Sequence, residues 1–173
     1  MLWRDPSVDG LKTGHTESAG YCLVSSAKKE DMRLIAVVMG APTEEARFKD
    51  SQKLLSFGFR YYKTLKLYSR DSLVKEAKLW AGASEEVGLT VADDIYVTVP
   101  RSQKNGVRAE MKIDKYIEAP IKKGQVLGEI VVHLDGNVIA KKDVVALTSV
   151  ESGGFIDVIV DKVKLFFFGL IDA

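Results

Sequence analysis

Three adjacent residues near the start of the chain, Lys12-Thr13-Gly14, combine groups that could bind an anion. The Lys12 ammonium, held on a rigid strand, supplies a mobile point charge for a carboxylate. Thr13 can add a hydroxyl donor to the same carboxylate, and Gly14 lets a bound backbone lie close because it has no Cβ. A strand that ends in glycine is also an ordinary turn signal, so the residues around the triplet decide its meaning.

The residues around the triplet extend the pattern. The string Val8-Asp9-Gly10-Leu11-Lys12-Thr13-Gly14-His15-Thr16 is followed by Ala19-Gly20-Tyr21 and by the apolar run Met32–Gly40. These strings resemble the D-alanyl-D-alanine carboxypeptidases among the low-molecular-mass penicillin-binding proteins, in which Lys-Thr-Gly is the third of three active-site motifs. The resemblance continues through a helix, a β-rich segment and an amphipathic tail, so it covers essentially the whole chain. It implies a serine-type hydrolase that removes the terminal D-alanine from peptidoglycan stem peptides.

The resemblance assigns roles to four consecutive residues. Lys12 and Thr13 would bind the terminal carboxylate of a stem peptide ending in D-Ala-D-Ala, and Gly14 would lie against the peptide backbone. The backbone N–H of His15 would join the oxyanion hole, where preorganised donors stabilise the charge that develops in the transition state. The imidazole of His15 would not act as a general base.

A second cation is expected on the helix that follows. Thr43 is typical of an N-cap, and Glu44 and Glu45 in the first turn would interact favourably with the helix dipole. The resemblance implies a carboxylate-reading arginine at Arg47. Alternatively, Arg47 pairs with Glu44 at i, i+3 on a solvated face. The residues leave both interpretations open.

The other two motifs of the family, Ser-x-x-Lys and Ser-x-Asn, should lie upstream of Lys12. The Ser-x-x-Lys pattern occurs at Ser25, Ser26 and Ser72, all downstream of Lys12. We interpret these matches as coincidences, because the first two run into a solvated turn that would not depress a lysine pKa. Neither Asn105 nor Asn137 has a serine two residues before it. We therefore expect the chain to lack the nucleophile and its base, to be inactive alone, and to bind β-lactams only with the missing N-terminal part.

Several other chemistries find no support in the sequence. His15 and His133 are the two histidines, and no Ser-His-Asp spacing involves them. Cys22 lies in an apolar run, which predicts a buried and inert thiol. No metal-ligand cluster or phosphate-binding glycine loop occurs, so we expect neither a metal nor a cofactor. A formal net charge of +1 does not show the excess of basic residues that is typical of a nucleic-acid-binding protein.

The pattern predicts an α+β fold that begins with an antiparallel sheet and a helix over residues 1–63, and the resemblance implies that this is the distal part of a penicillin-recognising, transpeptidase-like catalytic domain. Leu34–Met39 is too short for a core helix and predicts a strand covered on both faces. From Thr43 to about Tyr62 one apolar stripe recurs at helical spacing, formed by Phe48, Leu55, Phe59 and Tyr62. The rest of this domain is not encoded here, so some apolar faces should be uncovered.

Residues 64–150 predict a small all-β sandwich. Alternating apolar residues mark strands at Ile95–Val99 and Ala109–Ile113. Asp135-Gly136-Asn137 is a hairpin signal between two longer strands. This part carries no catalytic constellation, and the resemblance implies a spacer or an interaction platform.

Residues 151–173 predict an amphipathic helix. Asp157, Asp161, Lys164 and Asp172 share one narrow arc, and apolar residues fill the opposite arc. Charges interrupt the segment too often for a spanning helix, so we expect it to lie in the membrane interface. The expected membrane contacts are Phe155, Ile159, Val163, Phe166, Phe167 and Leu170. The alternative is a core helix packed on the sandwich.

Two hypotheses about function follow. In the first, the chain is the distal portion of a serine D-Ala-D-Ala carboxypeptidase, held at the periplasmic face of the inner membrane. Met1-Leu2-Trp3-Arg4-Asp5 carries no secretory signal, so the signal would belong to the missing part. In the second, the chain is a truncated, non-catalytic module that binds membrane or cell wall.

Overall fold

The computed structural model describes residues 5–155 and 158–161. Its strands and its long α-helix are, in chain order, β1 Val8–Thr16, β2 Gly20–Lys29, β3 Met32–Ala41, α1 Glu44–Tyr61, β4 Tyr62–Tyr68, β5 Lys75–Trp80, β6 Glu86–Val91, β7 Ile95–Pro100, β8 Val107–Ile113, β9 Ile117–Glu118, β10 Val126–Leu134 and β11 Asn137–Ala146. Phe155 and residues 158–161 are also helical. A 3₁₀ helix spans Arg101–Gly106. The chain is therefore mostly β.

The chain divides into two compact units. The first unit comprises the chain up to Leu65 together with Val97–Asn105, and the second unit comprises Lys66–Tyr96 and the chain from Gly106 onward. In this division Val97–Asn105 falls in the first unit, although the sequence pattern places it within residues 64–150. The three domains predicted from the sequence stay a prediction.

In the first unit, β1, β2 and β3 form an antiparallel sheet in that order. The antiparallel sheet predicted within residues 1–63 is confirmed for these three strands. β3 is covered on one face only, contrary to the prediction, because Ile35, Val37 and Met39 alternate with less exposed residues and are 68%, 56% and 75% exposed. The open face of the sheet is the uncovered apolar surface that the sequence predicts.

Helix α1 packs on the other face of this sheet. Its N-cap is confirmed, because the Thr43 hydroxyl accepts a hydrogen bond from the Ala46 N–H at 3.1 Å. The predicted apolar stripe is wrong in part: Phe48 and Phe59 are half-buried, and Tyr62 lies beyond the helix and is exposed. Leu55 is buried as predicted, and the other buried residues of α1 are Arg47, Ser51 and Gly58.

Polar and small residues fit on this helix face because each has a specific partner. The hydroxyls of Ser51 and Ser25 share a hydrogen bond between α1 and β2, and both side chains are fully buried. Gly58 leaves room for Leu34, whose Cδ1 atom would collide with an added Cβ. The apolar core of the first unit is formed by Val8, Ala27, Ala36 and Leu55.

The second unit contains one six-stranded sheet with the order β8-β10-β11-β6-β5-β9, in which β5 and β9 run parallel. The predicted hairpin is confirmed: β10 pairs with β11, and Asp135 and Gly136 in the turn have φ values of 48° and 86°. The two facing sheets of a sandwich stay a prediction. The core of this unit includes Leu79, Val87, Leu89, Ile130, Val132 and Val144.

The segment that leads into the tail is attached to the second unit. Ser152 forms an isolated bridge with Gly82, and the Asp161 carboxylate accepts a hydrogen bond from the Ala81 N–H at 3.1 Å. Phe155 and Ile159 are 83% and 48% exposed. The other predicted membrane contacts, Val163, Phe166, Phe167 and Leu170, lie outside the described residues. No helix in the described part of the chain has the length and apolarity needed to cross a membrane.

Candidate functional site

The Lys-Thr-Gly triplet lies on β1, at an edge of the sheet as far as the structure describes it. Lys12, Gly14 and His15 are exposed, and Thr13 is half-buried. Lys12 pairs with exposed Val24, whereas Thr13 pairs with Leu23, which is 1% exposed. Because side chains alternate along a strand, Lys12 points to the open face and Thr13 toward the α1 face. The two side chains therefore flank the edge of β1 from opposite sides.

The Lys12 side chain also bonds to the backbone of the next residue of the triplet. The Lys12 ammonium donates a hydrogen bond to the Thr13 carbonyl oxygen at 2.9 Å. This contact is solvent-exposed, so the ammonium is available to an anionic ligand at small cost. Gly14 is open as well, since an added Cβ would meet only the Cys22 Cβ, at 4.0 Å.

His15 is held through its ring. The imidazole packs against the Tyr21 ring with the ring centroids 4.0 Å apart and the planes tilted by 33°. Tyr21 is the register partner of His15 on β2. The contact fixes the side chain on the sheet and leaves the backbone to do the chemistry that the resemblance implies. The oxyanion role of the His15 N–H stays a prediction.

Arg47 reaches β1 from the helix side of the sheet. Its Nη1 atom donates to the Gly14 carbonyl oxygen at 3.2 Å and to the Cys22 carbonyl oxygen at 3.4 Å. Its Nη2 atom donates to Glu44 Oε1 at 2.9 Å. The i, i+3 ion pair of the second interpretation is therefore present. However, the pair is only partly solvated, because the Arg47 side chain is 8% exposed and the Glu44 side chain is 64% exposed.

The sequence reasoning missed a hydrogen-bonded cluster of Asp9, Ser26 and Arg33 at the other end of β1. Both terminal nitrogens of Arg33, on β3, donate to the Asp9 carboxylate at 2.8 and 2.7 Å, and Arg33 also donates to the Ser26 hydroxyl on β2. Hydrogen bonds from Arg33 and then from Ser26 lower the pKa of Asp9 below its usual value. The three residues span all three strands. The sequence alone does not predict this cluster, because only the register of the three strands brings the residues together.

The remaining predicted residues form no second site in the described part of the chain. Ser25 is buried against Ser51, while Lys28 is exposed, so the Ser25-x-x-Lys28 pattern makes no catalytic pair there. Cys22 is half-buried, and its thiol donates to the Ala19 carbonyl oxygen at 3.6 Å; the prediction of full burial is wrong. His133 has a partner on its sheet, with Glu110 Oε2 at 3.9 Å. No cluster of three or more metal-ligating side chains occurs among the described residues.

Comparison with protein families assigns most of the chain. A model of the penicillin-binding protein 5 C-terminal domain matches residues 62–152, just over half of the chain. The chain belongs to this family. A model of the D-alanyl-D-alanine carboxypeptidases matches residues 1–43, which include the Lys-Thr-Gly strand. The resemblance stated from the sequence is confirmed.

Individual relatives agree with this assignment. The D-alanyl-D-alanine carboxypeptidase DacC of Escherichia coli K12 is 40% identical over 169 residues, which cover 96% of this chain and 42% of that protein. DacF of Bacillus subtilis is 42% identical over 152 residues, which cover 87% of this chain and 39% of that protein. The crystal structure of penicillin-binding protein 5 from Haemophilus influenzae superimposes with a TM-score of 0.77 at 40% identity, covering 87% of this chain and 45% of that one. This chain thus spans less than half the length of these relatives and corresponds to a distal portion of them.

Proposed function

We propose that this chain is the distal portion of a serine-type D-Ala-D-Ala carboxypeptidase and that the edge of β1 binds the end of a peptidoglycan stem peptide. The observation that carries the proposal is the exposed Lys12-Thr13-Gly14 triplet on an edge strand, within a stretch that matches the carboxypeptidase family model. The relatives that span this chain bear the name of that activity.

The edge of β1 suits an extended peptide with a free carboxyl end. An extended peptide can add to an exposed strand edge through main-chain hydrogen bonds. Lys12 and Thr13 lie on opposite sides of that edge, so a carboxylate placed between them would receive an ammonium from one side and a hydroxyl from the other. Gly14, which has no Cβ, removes the group that would hold the peptide away.

The chemistry would need groups from outside this chain. The nucleophilic serine would attack the peptide carbonyl carbon while its base takes the serine proton, and the His15 N–H would stabilise the oxyanion as charge develops there. D-Alanine would then leave with the proton from the base, and water would hydrolyse the acyl-enzyme. Every step that we assign to the present chain is therefore binding, orientation or oxyanion stabilisation. β-Lactams would react only in the complete enzyme.

The test is a complete enzyme made by joining this chain to the upstream part of the Escherichia coli relative. We expect this enzyme to form a stable adduct with fluorescent penicillin and to release D-alanine, and we expect the 173-residue chain alone to do neither. Lys12→Ala should lower kcat/KM by about 10- to 100-fold, since a charge-assisted hydrogen bond is worth roughly 1.5 to 3 kcal/mol. The matched control is Lys28→Ala, which removes an exposed lysine from the neighbouring strand.

The outcomes separate the two hypotheses about function. Equal loss in the Lys12 and Lys28 variants, or none in either, would contradict the role of Lys12. A folded joined enzyme that neither binds penicillin nor releases D-alanine would favour the non-catalytic binding module. A stoichiometric penicillin adduct on the 173-residue chain alone would show that the nucleophile is present after all.

We also propose that the tail attaches the protein to the membrane interface at the periplasmic face of the inner membrane. The amphipathic pattern of residues 154–173 and the exposed Phe155 and Ile159 support this proposal. Deleting residues 154–173, or replacing Phe166 and Phe167 by Ser, should release the protein from floating liposomes. Replacing Lys164 and Asp172 by Ser is the matched control on the polar arc. The tail has a net charge of −1, from three Asp and two Lys residues, so complete release by salt alone would contradict apolar insertion.

A further inference from the structure

The tail leaves the second unit through a short paired segment. Ser152 forms an antiparallel bridge with Gly82, and the Gly153 N–H donates to the Ala81 carbonyl oxygen at 2.9 Å. The two stretches of chain lie so close that a Cβ added to Gly153 would be 2.7 Å from the Gly82 carbonyl oxygen. Glycine-rich sequences usually form flexible links. Here the glycine permits a close approach instead, so residue 153 belongs to a fixed junction.

Ala81 provides a second point of attachment. It is 3% exposed, and its φ of 56° lies in the left-handed region. Its N–H donates to the carboxylate of Asp161, 80 residues further along the chain, at 3.1 Å. A buried N–H that loses its acceptor destabilises the protein. The bond between Ala81 and Asp161 therefore favours a tail that stays on the second unit.

The exposure of the helical residues identifies the docked side of the tail. Val158 and Asp161 are half-buried, whereas Phe155, Ile159 and Val160 are exposed. Successive residues of an α-helix are about 100° apart around its axis, so Val158 and Asp161 lie within about 60° of each other. Phe155 and Ile159 lie within about 40° of each other on a different side. The side that contacts the second unit is therefore not the side that carries the exposed apolar residues.

The sequence places the apolar arc of the tail opposite to this contact. On the helix that the sequence predicts for residues 151–173, Ile159, Val163 and Leu170 are about 160 to 180° around the axis from Asp161. These three residues are among the expected membrane contacts. Contact with the second unit and contact with lipid thus use opposite sides of one helix, and both contacts can form at the same time.

We propose that the tail binds on two sides at once: its Asp161 side docks on the second unit, and its opposite side contacts a lipid surface. The second unit is then held in one orientation over the lipid and is not suspended from a flexible link. The lipid contact rests on the proposed membrane attachment. The docking of Asp161 on the Ala81 N–H does not, so the two parts of the inference can fail separately.

The first test measures amide hydrogen exchange in the 173-residue chain without lipid. Asp161→Ala removes the acceptor of the Ala81 N–H, so exchange at Ala81 should become faster by about tenfold or more. The matched control, Asp161→Asn, removes the charge but keeps a side-chain oxygen that accepts, so exchange should stay within about twofold of the wild type. Unchanged amides in β10 would show that both variants fold.

A second variant opens the junction without changing Asp161. In Gly153→Ala the added methyl group collides with the Gly82 carbonyl oxygen. The bond from the residue 153 N–H to the Ala81 carbonyl oxygen should then break, and exchange at residue 153 should become faster by about tenfold or more. Protection at residue 153 equal to that of the wild type would contradict the close packing at this junction.

The second test measures the docking on lipid by pulsed electron paramagnetic resonance. Nitroxides are attached at Lys112→Cys on β8 and at Lys164→Cys on the tail, and Cys22→Ser removes the native thiol. On phosphatidylcholine vesicles we expect one narrow distance distribution in the wild type and in Asp161→Asn. In Asp161→Ala the distribution should become about twofold broader or more, because the link gains freedom. Flotation of Asp161→Ala with the vesicles should persist, since its apolar arc is intact.

The outcomes distinguish the docking from the membrane attachment. Unchanged exchange at Ala81 in folded Asp161→Ala would overturn the role of Asp161. A broad distance distribution in the wild type on vesicles would overturn the fixed orientation, and so would an equally narrow one in Asp161→Ala. A wild-type chain that does not float with vesicles would contradict the proposed membrane attachment, and the exchange experiment alone would then decide whether the tail docks.

Discussion

Replacing Gly14 by alanine should stabilise the fold and damage the enzyme. Gly14 is exposed on the edge strand β1, and its backbone is outside the left-handed region. A Cβ added there would have the Cys22 Cβ as its nearest neighbour, at the ordinary van der Waals distance of 4.0 Å. The folded chain therefore accepts the methyl group without strain. Any loss of activity must come from a collision between the methyl group and the bound ligand.

Two magnitudes with opposite consequences follow from this geometry. Alanine restricts the unfolded chain more than glycine does, which stabilises the fold by about 0.4 to 1 kcal/mol. The melting temperature should rise by about 1 to 4 °C for a chain of this size. In the enzyme, the methyl group would project where the peptide backbone should lie. A displacement of about 1 Å at a reacting centre can cost about 100-fold in rate.

The assay combines thermal unfolding of the 173-residue chain with the acylation rate of the joined enzyme by fluorescent penicillin. Gly124→Ala is the control with the opposite expectation. Its Cβ would meet no atom within 4 Å, but its φ is +82°, so alanine there should cost about 1 to 2 kcal/mol and leave acylation unchanged. The reasoning is refuted if Gly14→Ala acylates at the wild-type rate, or if it destabilises the chain by more than Gly124→Ala does.

Three further predictions concern stability. Ser51→Ala leaves the buried Ser25 hydroxyl without its partner and should lower the free energy of unfolding, measured in urea, by about 1 to 3 kcal/mol. The double variant with Ser25→Ala should lose less, because no hydroxyl is then left unpaired. A double variant that loses the sum of the two single losses would contradict this. Gly128→Ala places a Cβ against the Lys112 carbonyl oxygen on β8 and should lower the free energy of unfolding by about 1 to 3 kcal/mol or more. An unchanged urea midpoint would show that β8 and β10 can move apart to admit the methyl group without loss of stability. Hydrogen bonds from Lys66 and the Arg70 N–H lower the pKa of Asp94 from 3.8 to about 2, so the folded state holds this proton less tightly than the unfolded state. The stability that Asp94 contributes is complete above pH 4 and lost as the pH falls toward 2; amide exchange at Arg70 should follow this window and lose it in Asp94→Asn.

Local patterns predicted the elements wherever one face of an element meets solvent. Alternation at Ile95–Val99 corresponds to β7, in which Ile95, Val97 and Val99 are buried and the residues between them are exposed. The Asp135-Gly136 pair predicted the hairpin because its turn requires positive φ values, which the structure has. These signals lie within a few residues of one another, so no knowledge of the tertiary fold was needed.

The buried face of α1 could not be predicted from hydrophobic periodicity. Arg47, Ser51 and Gly58 occupy that face because each is matched by a residue of the sheet or of the helix itself. The Ser51 partner, Ser25, lies 26 residues away, and the contact follows only from the register of β2 against the helix. The one-sided cover of β3 escaped prediction for a similar reason. A continuous apolar run predicts a strand but does not indicate which of the two faces of that strand the rest of the protein covers.

The same limit applies to Arg47 and explains why the sequence left two interpretations of it. The ion pair with Glu44 is local, and spacing alone predicts it. The two carbonyl acceptors are 33 and 25 residues away, and no spacing rule connects them to Arg47. A buried charge must be matched by hydrogen-bond partners, and the terminal nitrogens of Arg47 find them in Glu44 and in the backbone of β1 and β2, whereas its buried Nε atom has none. The exposed Lys12 ammonium faces no such requirement, because its bond to the Thr13 carbonyl oxygen is open to solvent.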